Sequence, residues 1–373
     1  MKCPYCNSSN TSEYFSVKKM PNILSACSNN ILKKVKLHSF KARLCNDCLL
    51  GFNSLKIKGS ELKFIYDNYL YISPLNKIGH TKYINMLETI RRYCKKDDKL
   101  VEIGCSEGYL LSTLQQEGYT DLTGIEPGPQ AVEARKLGLN VVHSYFDDKT
   151  FIGKAIDSFI LMHVFEHFAD PFPILKAMKK QLAISGKIII EVPYFTGYHH
   201  QHLFFYNLTF FKKMCSDNKL KIIYANMEDD ALRVVITDSR NMACGEVSVL
   251  GDRDEVKKMA LNQKKELENK ILKLNRLFLE KKNIFWWGAG SASVFFLNQI
   301  DENIVRRADL TIVDGDRNKW GKYIPGLNIK VEQFNILRDK KVELLIIASQ
   351  LHNEISATIK EHNFSVNKIE VFA

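Results

Sequence analysis

Residues 100–111 read LVEIGCSEGYLL, and this pattern decides the fold. A short apolar run carries Glu102, the chain turns through Gly104 and Gly108, and YLL begins a helical stretch. Glycines in such a turn let the backbone approach a ligand closely, and the helix behind them offers unpaired amide donors at its N-terminus. Eighteen residues past Gly108 a second apolar run, LTGIEP, ends in Glu126. A carboxylate at that place can accept both ribose hydroxyls of an adenosine cofactor. Ser106 stands where many nucleotide folds have a middle glycine, which disfavours pyrophosphate in the turn.

Outward from this turn, the short β-rich runs NVVHSYF, SFILM and KIIIEVP alternate with helical stretches, and KIIYANM and RVVITD read as two further strands. The alternation predicts a parallel sheet with helices on both faces. Upstream, TKYINMLETIRRYCKK has the apolar spacing of an amphipathic helix, and downstream Asn207 is a fair N-cap for LTFFKKMCSDNKL. A charged helix near residues 252–282 leads into a second alternating series, NIFWWGAGSAS, ADLTIVDGD, ELLIIAS and KIEVFA. The two series share no motif that would make them a repeat.

A chain of 373 residues, 45% hydrophobic and 25% charged, has the composition of a soluble protein of two or three domains. Its formal charge of +11 suits an anionic partner: nucleic acid, an acidic membrane face or a phosphorylated small molecule. No secretory apolar region follows MKCPYC and no apolar stretch reaches bilayer-spanning length. The expectation is a cytoplasmic protein with no membrane partner. Oligomeric state is left open, with a monomer compatible.

Nine cysteines, an odd number in a reducing compartment, argue against a disulfide framework. Cys3 and Cys6 form CPYC, and Cys45 and Cys48 form CNDC. Each Cys-x-x-Cys turn can place two thiolates on one edge of a tetrahedral zinc ion, and two turns close its shell. Such an ion holds structure and leaves no open position for chemistry. Cys27, Cys94, Cys105, Cys215 and Cys244 lack this pairing and read as core residues.

The acidic strand end, the glycine turn, the second acidic strand end and the later FILMHVFEHFADP occur in the order of class I S-adenosylmethionine-dependent methyltransferases, which this region resembles. The resemblance implies a cofactor site formed by Glu102, Gly104, Cys105, Gly108, Glu126, Pro127, Phe146 and His163. His163 and His167 flank Glu166, but with no third ligand evident they read as residues lining or supporting the cofactor pocket.

Taken whole, the chain resembles the sugar C-methyltransferases of unusual deoxysugar pathways. The features that carry this are the four-cysteine module, the segment YLYISP, the methyltransferase core, the histidine-rich GYHHQHLFFYN at 197–207 and a C-terminal αβ series with WGAGSAS and VDGDRNKWGKYIPGLNI. The implied architecture is α/β: a zinc-binding module at 1–60, a class I methyltransferase Rossmann-like domain at 61–240 and a connector helix with a second Rossmann-like αβ domain at 241–373. The implied reaction is C-methylation of a nucleotide-linked sugar beside a keto group, through an enolate. A base must reach the acidified C–H, and histidine suits that task because its pKa is near working pH.

The family motif Tyr-His-Glu-His-Leu reads His-His-Gln-His-Leu here, which places His202 on the family's base, Gln201 on its glutamate and His199 on its tyrosine. His200 lies between them. Gln201 can hydrogen-bond but cannot take a proton or balance an imidazolium, so methylation of a sugar hydroxyl stays open. Tyr69, Tyr71 and Ser73 match a family segment that contacts cofactor or sugar, and Gly288, Gly290 and Ser291 form the C-terminal turn that would hold the nucleotide part. Two rivals remain. The C-terminal turn could serve NAD, with Asp314 on the ribose, although Ser293 replaces the third glycine and Ala292 the family's lysine. A zinc module, a methyltransferase core and a positive charge also recur in RNA methyltransferases, with LKKVKLHSFKAR as the basic run; the C-terminal αβ series has no obvious task in that reading, which disfavours nucleic acid.

Overall fold

The computed structural model describes residues 1–57, 59–68, 77–150, 155–195, 201–228, 231–247, 253–281, 283–349 and 351–372. The chain divides into two compact units. One comprises Met1–Tyr14, Ala42–Ser54 and Ile72–Ala260; the other comprises Phe15–Lys41, Leu55–Tyr71 and Leu261–Ala373.

The N-terminal strands are β1 (Thr11–Pro21), β2 (Leu37–Cys45) and β3 (Gly51–Asn53). The first unit then builds a sheet from β4 (Lys99–Ile103), β5 (Asp121–Ile125), β6 (Val141–Val142), β7 (Ile156–Met162) and β8 (Leu182–Pro193). After β9 (Phe204–Phe205), it adds β10 (Leu220–Glu228) and β11 (Ala231–Asp238). The seven strands lie in the order β10-β11-β8-β7-β4-β5-β6. Strands β6, β5, β4, β7 and β8 pair in parallel, while β11 runs antiparallel to both β8 and β10. This is the Rossmann-like sheet of class I methyltransferases, with one reversed strand next to its edge. The winding changes direction at β4, whose neighbours are β5 and β7, and ligands of open αβ sheets bind at the carboxyl ends of strands at such a point.

The central strands are mostly apolar because both faces are covered. Val101, Ile103, Phe159, Leu161, Ile188 and Ile190 enter one core. Their neighbours in sequence, Leu100, Ile160 and Ile189, enter another, as the two-residue period of a strand requires. Met86, Leu87 and Ile90 of the helix Lys77–Tyr93 cover that second face, in keeping with its amphipathic pattern. Asn207 caps the helix Leu208–Asp217, its side chain accepting from the Phe210 amide.

The cysteine turns do not form a core of their own. Cys3, Cys45, Cys48, Leu50 and Phe52 join one apolar cluster with Phe204, Tyr206 and Phe210, and β3 pairs antiparallel with β2 and with β9. So short a segment cannot bury enough surface alone, and here it completes the methyltransferase core.

The second unit carries β12 (Asn283–Trp287), β13 (Asp309–Asp314), β14 (Tyr323–Ile324), β15 (Ile329–Gln333), β16 (Leu344–Ile347) and β17 (Ile369–Val371). Their order is β14-β15-β13-β12-β16-β17, parallel except for β14 against β15. The pair β14 and β15 falls between the runs that sequence pattern marked as strands. This second αβ sheet also buries both faces, Trp286 in one core and Phe285 with Trp287 in the other. Among the described residues no helix is long and apolar enough to cross a membrane.

Candidate active site and cysteine cluster

The turn after β4 is held against β5. The Gly104 and Cys105 amides both donate to the Ile125 carbonyl, at 2.7 and 3.2 Å. Gly104 has φ +78°, and a Cβ there would lie 2.5 Å from Val164 Cγ2, so conformation and space both require glycine. Gly108, φ +80°, is the N-cap of the helix Tyr109–Gln116. Glu126 ties the two loops together: its carboxylate accepts from the Ser106 amide at 3.0 Å and the Gly128 amide at 2.6 Å. Pro127, half-buried, sits within that clamp.

Glu102 is buried, and its Oε2 has no hydrogen-bond partner among the described residues. Burial, and then the charge of Glu126, push its carboxyl up to about 8, so it keeps a proton at neutral pH. A buried, protonated carboxyl with one oxygen unpaired, near the Glu126 carboxylate at the glycine turn, fits the polar end of an adenosine cofactor. Cys105 packs with Leu111 and Ala131, and burial holds its thiol well above the ordinary range, which suits packing and not nucleophilic attack. Phe146 packs in the core, 6.0 Å from the Phe159 ring.

Beyond β7 the chain turns sharply at His163, φ +53°. The His163 amide donates to the Glu191 carbonyl at 2.9 Å. Its Nε2 lies 3.1 Å from Glu191 Oε1 and its Nδ1 3.7 Å from Glu166 Oε1. Burial alone would lower the His163 pKa; the neighbouring carboxylates of Glu166 and Glu191 outweigh it and raise the value to about 9. Glu191 is also gripped by Arg233, whose Nε donates at 2.7 Å. Burial would raise the Glu191 carboxyl, and His163 with Arg233 hold it below its ordinary value instead.

Glu166 is the residue that sequence reading passed over. It is 1% exposed, and neither carboxylate oxygen has a hydrogen-bond partner among the described residues. Its Oε1 lies 3.8 Å from His167 Nε2 and 3.9 Å from His202 Nε2, and the His167 and His202 rings are 5.0 Å apart. The loop is drawn in by backbone contacts. The Leu203 amide donates to the Glu166 carbonyl, the Gln201 carbonyl lies 2.8 Å from His167 Nδ1, and Asn53 donates to the His202 carbonyl. The signal was present as the acid between two histidines in HVFEH; its partner, 36 residues downstream by number, was not readable from spacing. His199, His200, Tyr69, Tyr71 and Ser73 lie outside the described residues.

The four paired cysteines meet. Cys3 Sγ is 3.5 Å from Cys48 Sγ and Cys6 Sγ 3.6 Å from Cys45 Sγ, with all four sulfurs within 4.8 Å of one another. The two turns repeat one design. The amides of Asn7 and Leu49 donate back to the carbonyls of Cys3 and Cys45, and both residues are left-handed, at φ +58° and +64°. A zinc ion about 2.3 Å from each sulfur would separate them by roughly 3.8 Å, so the cluster fits that ion.

In the second unit Gly288, φ +125°, brings its Cα against the Ala348 carbonyl, where a Cβ would stand 2.7 Å away. Gly290 caps the helix Ser291–Gln299, and open space surrounds it. Asp314 accepts from the Ala289 amide, the Asp316 amide and Lys319 Nζ at 2.7, 2.8 and 3.1 Å. Ser293 is buried, with its hydroxyl donating to the Gly288 carbonyl at 2.7 Å and accepting from Trp286 Nε1 at 2.8 Å. It locks helix to strand by hydrogen bonds where a glycine would do so by close packing.

A family model described as a methyltransferase domain matches residues 76–225. With the strand order, the glycine turn and the Glu126 clamp, this makes the middle of the chain an S-adenosylmethionine-dependent methyltransferase domain. Residues of the chain are 26% identical over 162 residues to a protein of Sulfurimonas denitrificans named tRNA U34 carboxymethyltransferase, covering 38% of this chain and 54% of that one. A protein of the same name from Wolinella succinogenes is 28% identical over 120 residues, covering 28% of this chain and 40% of that one. The chain thus spans about half the length of the curated relatives it matches. A magnesium protoporphyrin IX methyltransferase from Synechocystis PCC 6803, solved with bound SAH, is 13% identical with a TM-score of 0.38, over 46% of this chain and 90% of that one.

Proposed function

We propose that the chain transfers the methyl group of S-adenosylmethionine to a carbon beside the keto group of a nucleotide-linked sugar, and that the acceptor's proton leaves at the Glu166–His202 cluster. The observation that carries this is the place of Glu166. In the family motif an acid precedes the base histidine; here Gln201 occupies that position and cannot balance an imidazolium. Glu166, from a different loop, lies 3.9 Å from His202 Nε2 and can.

The cofactor supplies an electrophilic methyl group on sulfonium. The chain's residues do the rest. Glu126 and the turn amides would hold adenosine and ribose, with Glu102 beside them. His202 and Glu166 would receive the proton from the carbon flanking the ketone, leaving an enolate whose carbon attacks the methyl. His163, kept protonated by Glu166 and Glu191, offers a positive charge toward the oxyanion that develops. Cys3, Cys6, Cys45 and Cys48 would hold a structural zinc ion, and in the second unit the turn at Gly288, Gly290 and Ser291 has amides and an open helix end suited to phosphate.

The named relatives favour a second reading, methylation of tRNA, which the +11 charge also suits. One experiment divides them. Purified full-length protein is given trideuteromethyl S-adenosylmethionine with either a nucleoside-diphosphate 4-keto-6-deoxysugar or unmodified tRNA, and products are read by mass spectrometry. A deuteromethyl group carbon-bonded to the sugar supports the first reading; a label in tRNA alone replaces it with the second.

A further inference from the structure

Arg233 lies buried in the methyltransferase sheet, where a charged side chain is costly unless it is paired. Its partner is Glu191, directly opposite across the antiparallel strands β11 and β8. The two are 6% and 1% exposed, within the otherwise apolar runs RVVI and IIIEV. Ile189 and Val235, which share their face by strand period, enter the core covered by the helix Lys77–Tyr93. An ion pair in such surroundings seldom adds stability over an apolar pair of similar size, so stability alone does not account for it. The contacts divide the two oxygens of Glu191. Arg233 Nε donates to Oε2 at 2.7 Å and Nη2 donates to the same oxygen, while Nη1 reaches Thr89 Oγ1 at 3.4 Å. Oε1 is left to His163, whose Nε2 lies 3.1 Å away. The other charged group at His163 is Glu166, 3.7 Å from its Nδ1.

We propose that Arg233 is a positioning residue of the active site: by holding Glu191 Oε2 with two N–H groups, it aims Oε1 at the His163 ring. The use of the His163 charge toward a developing oxyanion rests on the proposed methyl transfer; the placement of that charge does not. A planar guanidinium does this where lysine cannot, because its donors are fixed relative to one another and a third one is tied to Thr89 on the helix. A lysine ammonium would keep the charge as a single point and let the carboxylate turn. Glu191 would then no longer face His163 squarely, and burial, which lowers the His163 pKa, would gain on the carboxylates that raise it. A cavity lined by Asn85, Thr89, Tyr224, Asn226 and Arg233 borders the guanidinium, so a shorter cation at 233 can be hydrated from that side.

The test follows the ring nitrogens of His163 by NMR across a pH titration of full-length protein without any acceptor, the signal being assigned by its loss in His163→Asn. Wild-type protein should titrate at about 9. Arg233→Lys should lower that midpoint by at least about one pH unit, a tenfold loss of proton affinity, which a merely structural role would leave in place. A second readout needs no variant at 233. The Arg233 Nε–H signal of the wild type should shift with the same midpoint as His163, because both groups hold one carboxylate. An unchanged His163 midpoint in folded Arg233→Lys protein would overturn the proposal. So would an Arg233 Nε–H signal that does not respond as His163 titrates, and this second result decides if the variant fails to fold. Because no methyl transfer is measured, a wrong acceptor leaves both readouts unaffected.

Discussion

Replacing Glu102 by glutamine should remove a pH dependence from the stability of the methyltransferase unit. In the fold, burial and the neighbouring charge of Glu126 raise the carboxyl of Glu102 from 4.5 to about 8. Between those values the unfolded chain has released the proton and the folded chain still holds it. A carboxyl raised in this way contributes stability that is complete below pH 4.5 and is lost as pH climbs through 8. At 1.36 kcal/mol per unit of difference, the loss between pH 5 and pH 8 comes to about 3 to 4 kcal/mol. Glutamine has nearly the same shape and no proton to release, so the variant should match wild type near pH 4.5 and exceed it by that amount near pH 8. The three tryptophans, Trp286, Trp287 and Trp320, all lie in the second unit, so their fluorescence identifies that unit's transition. Calorimetry then assigns the remaining transition to the methyltransferase unit. Wild-type and variant curves that run parallel across this range would refute the reasoning, because Glu102 would then be ionised inside the fold.

Three further outcomes are expected. Cys45→Ser should cost the chain its zinc, read by metal analysis of protein purified without added zinc, and should lower the melting temperature of the methyltransferase unit, since these cysteines share its core. Glu126→Ala should weaken S-adenosylmethionine binding in calorimetry at least about tenfold, the scale of one charge-assisted hydrogen bond; unchanged affinity would put the ribose elsewhere. Gly124→Ala should destabilise by about 1 to 3 kcal/mol, because its Cβ would lie 2.6 Å from Cys105 Sγ and 3.0 Å from Leu111 Cδ1, and adding Cys105→Ala should recover part of that loss in thermal melts.

Much of this was legible in the sequence. The run 100–111, the acid at 126 and the alternation of apolar runs specify a doubly wound sheet, because local period and turn chemistry agree there. The paired cysteines were legible for the same reason, a spacing fixed by one turn of backbone. What sequence could not show depends on contacts between distant segments. The cysteine turns belong to the methyltransferase core through Phe204, Tyr206 and Phe210, and nothing in their own stretch announces it. Strands β14 and β15 are too short and too polar to stand out; YI and IKVEQ hold together by pairing with each other. The meeting of Glu166 with His202 arises from hydrogen bonds between loops, the Leu203 amide to the Glu166 carbonyl and the His167 ring to the Gln201 carbonyl, so residue spacing gave no sign that Glu166 stands beside His202.

The central claim is that this cluster removes a proton from a carbon next to a ketone. The direct measurement is proton exchange at that carbon, followed by NMR in deuterated water, on a nucleoside-diphosphate 4-keto-6-deoxysugar with S-adenosylhomocysteine in place of the methyl donor. The account predicts exchange with wild-type protein, slowed by roughly a hundredfold or more in His202→Asn, with cofactor affinity retained. Wild-type protein that binds the keto sugar and exchanges nothing would contradict it.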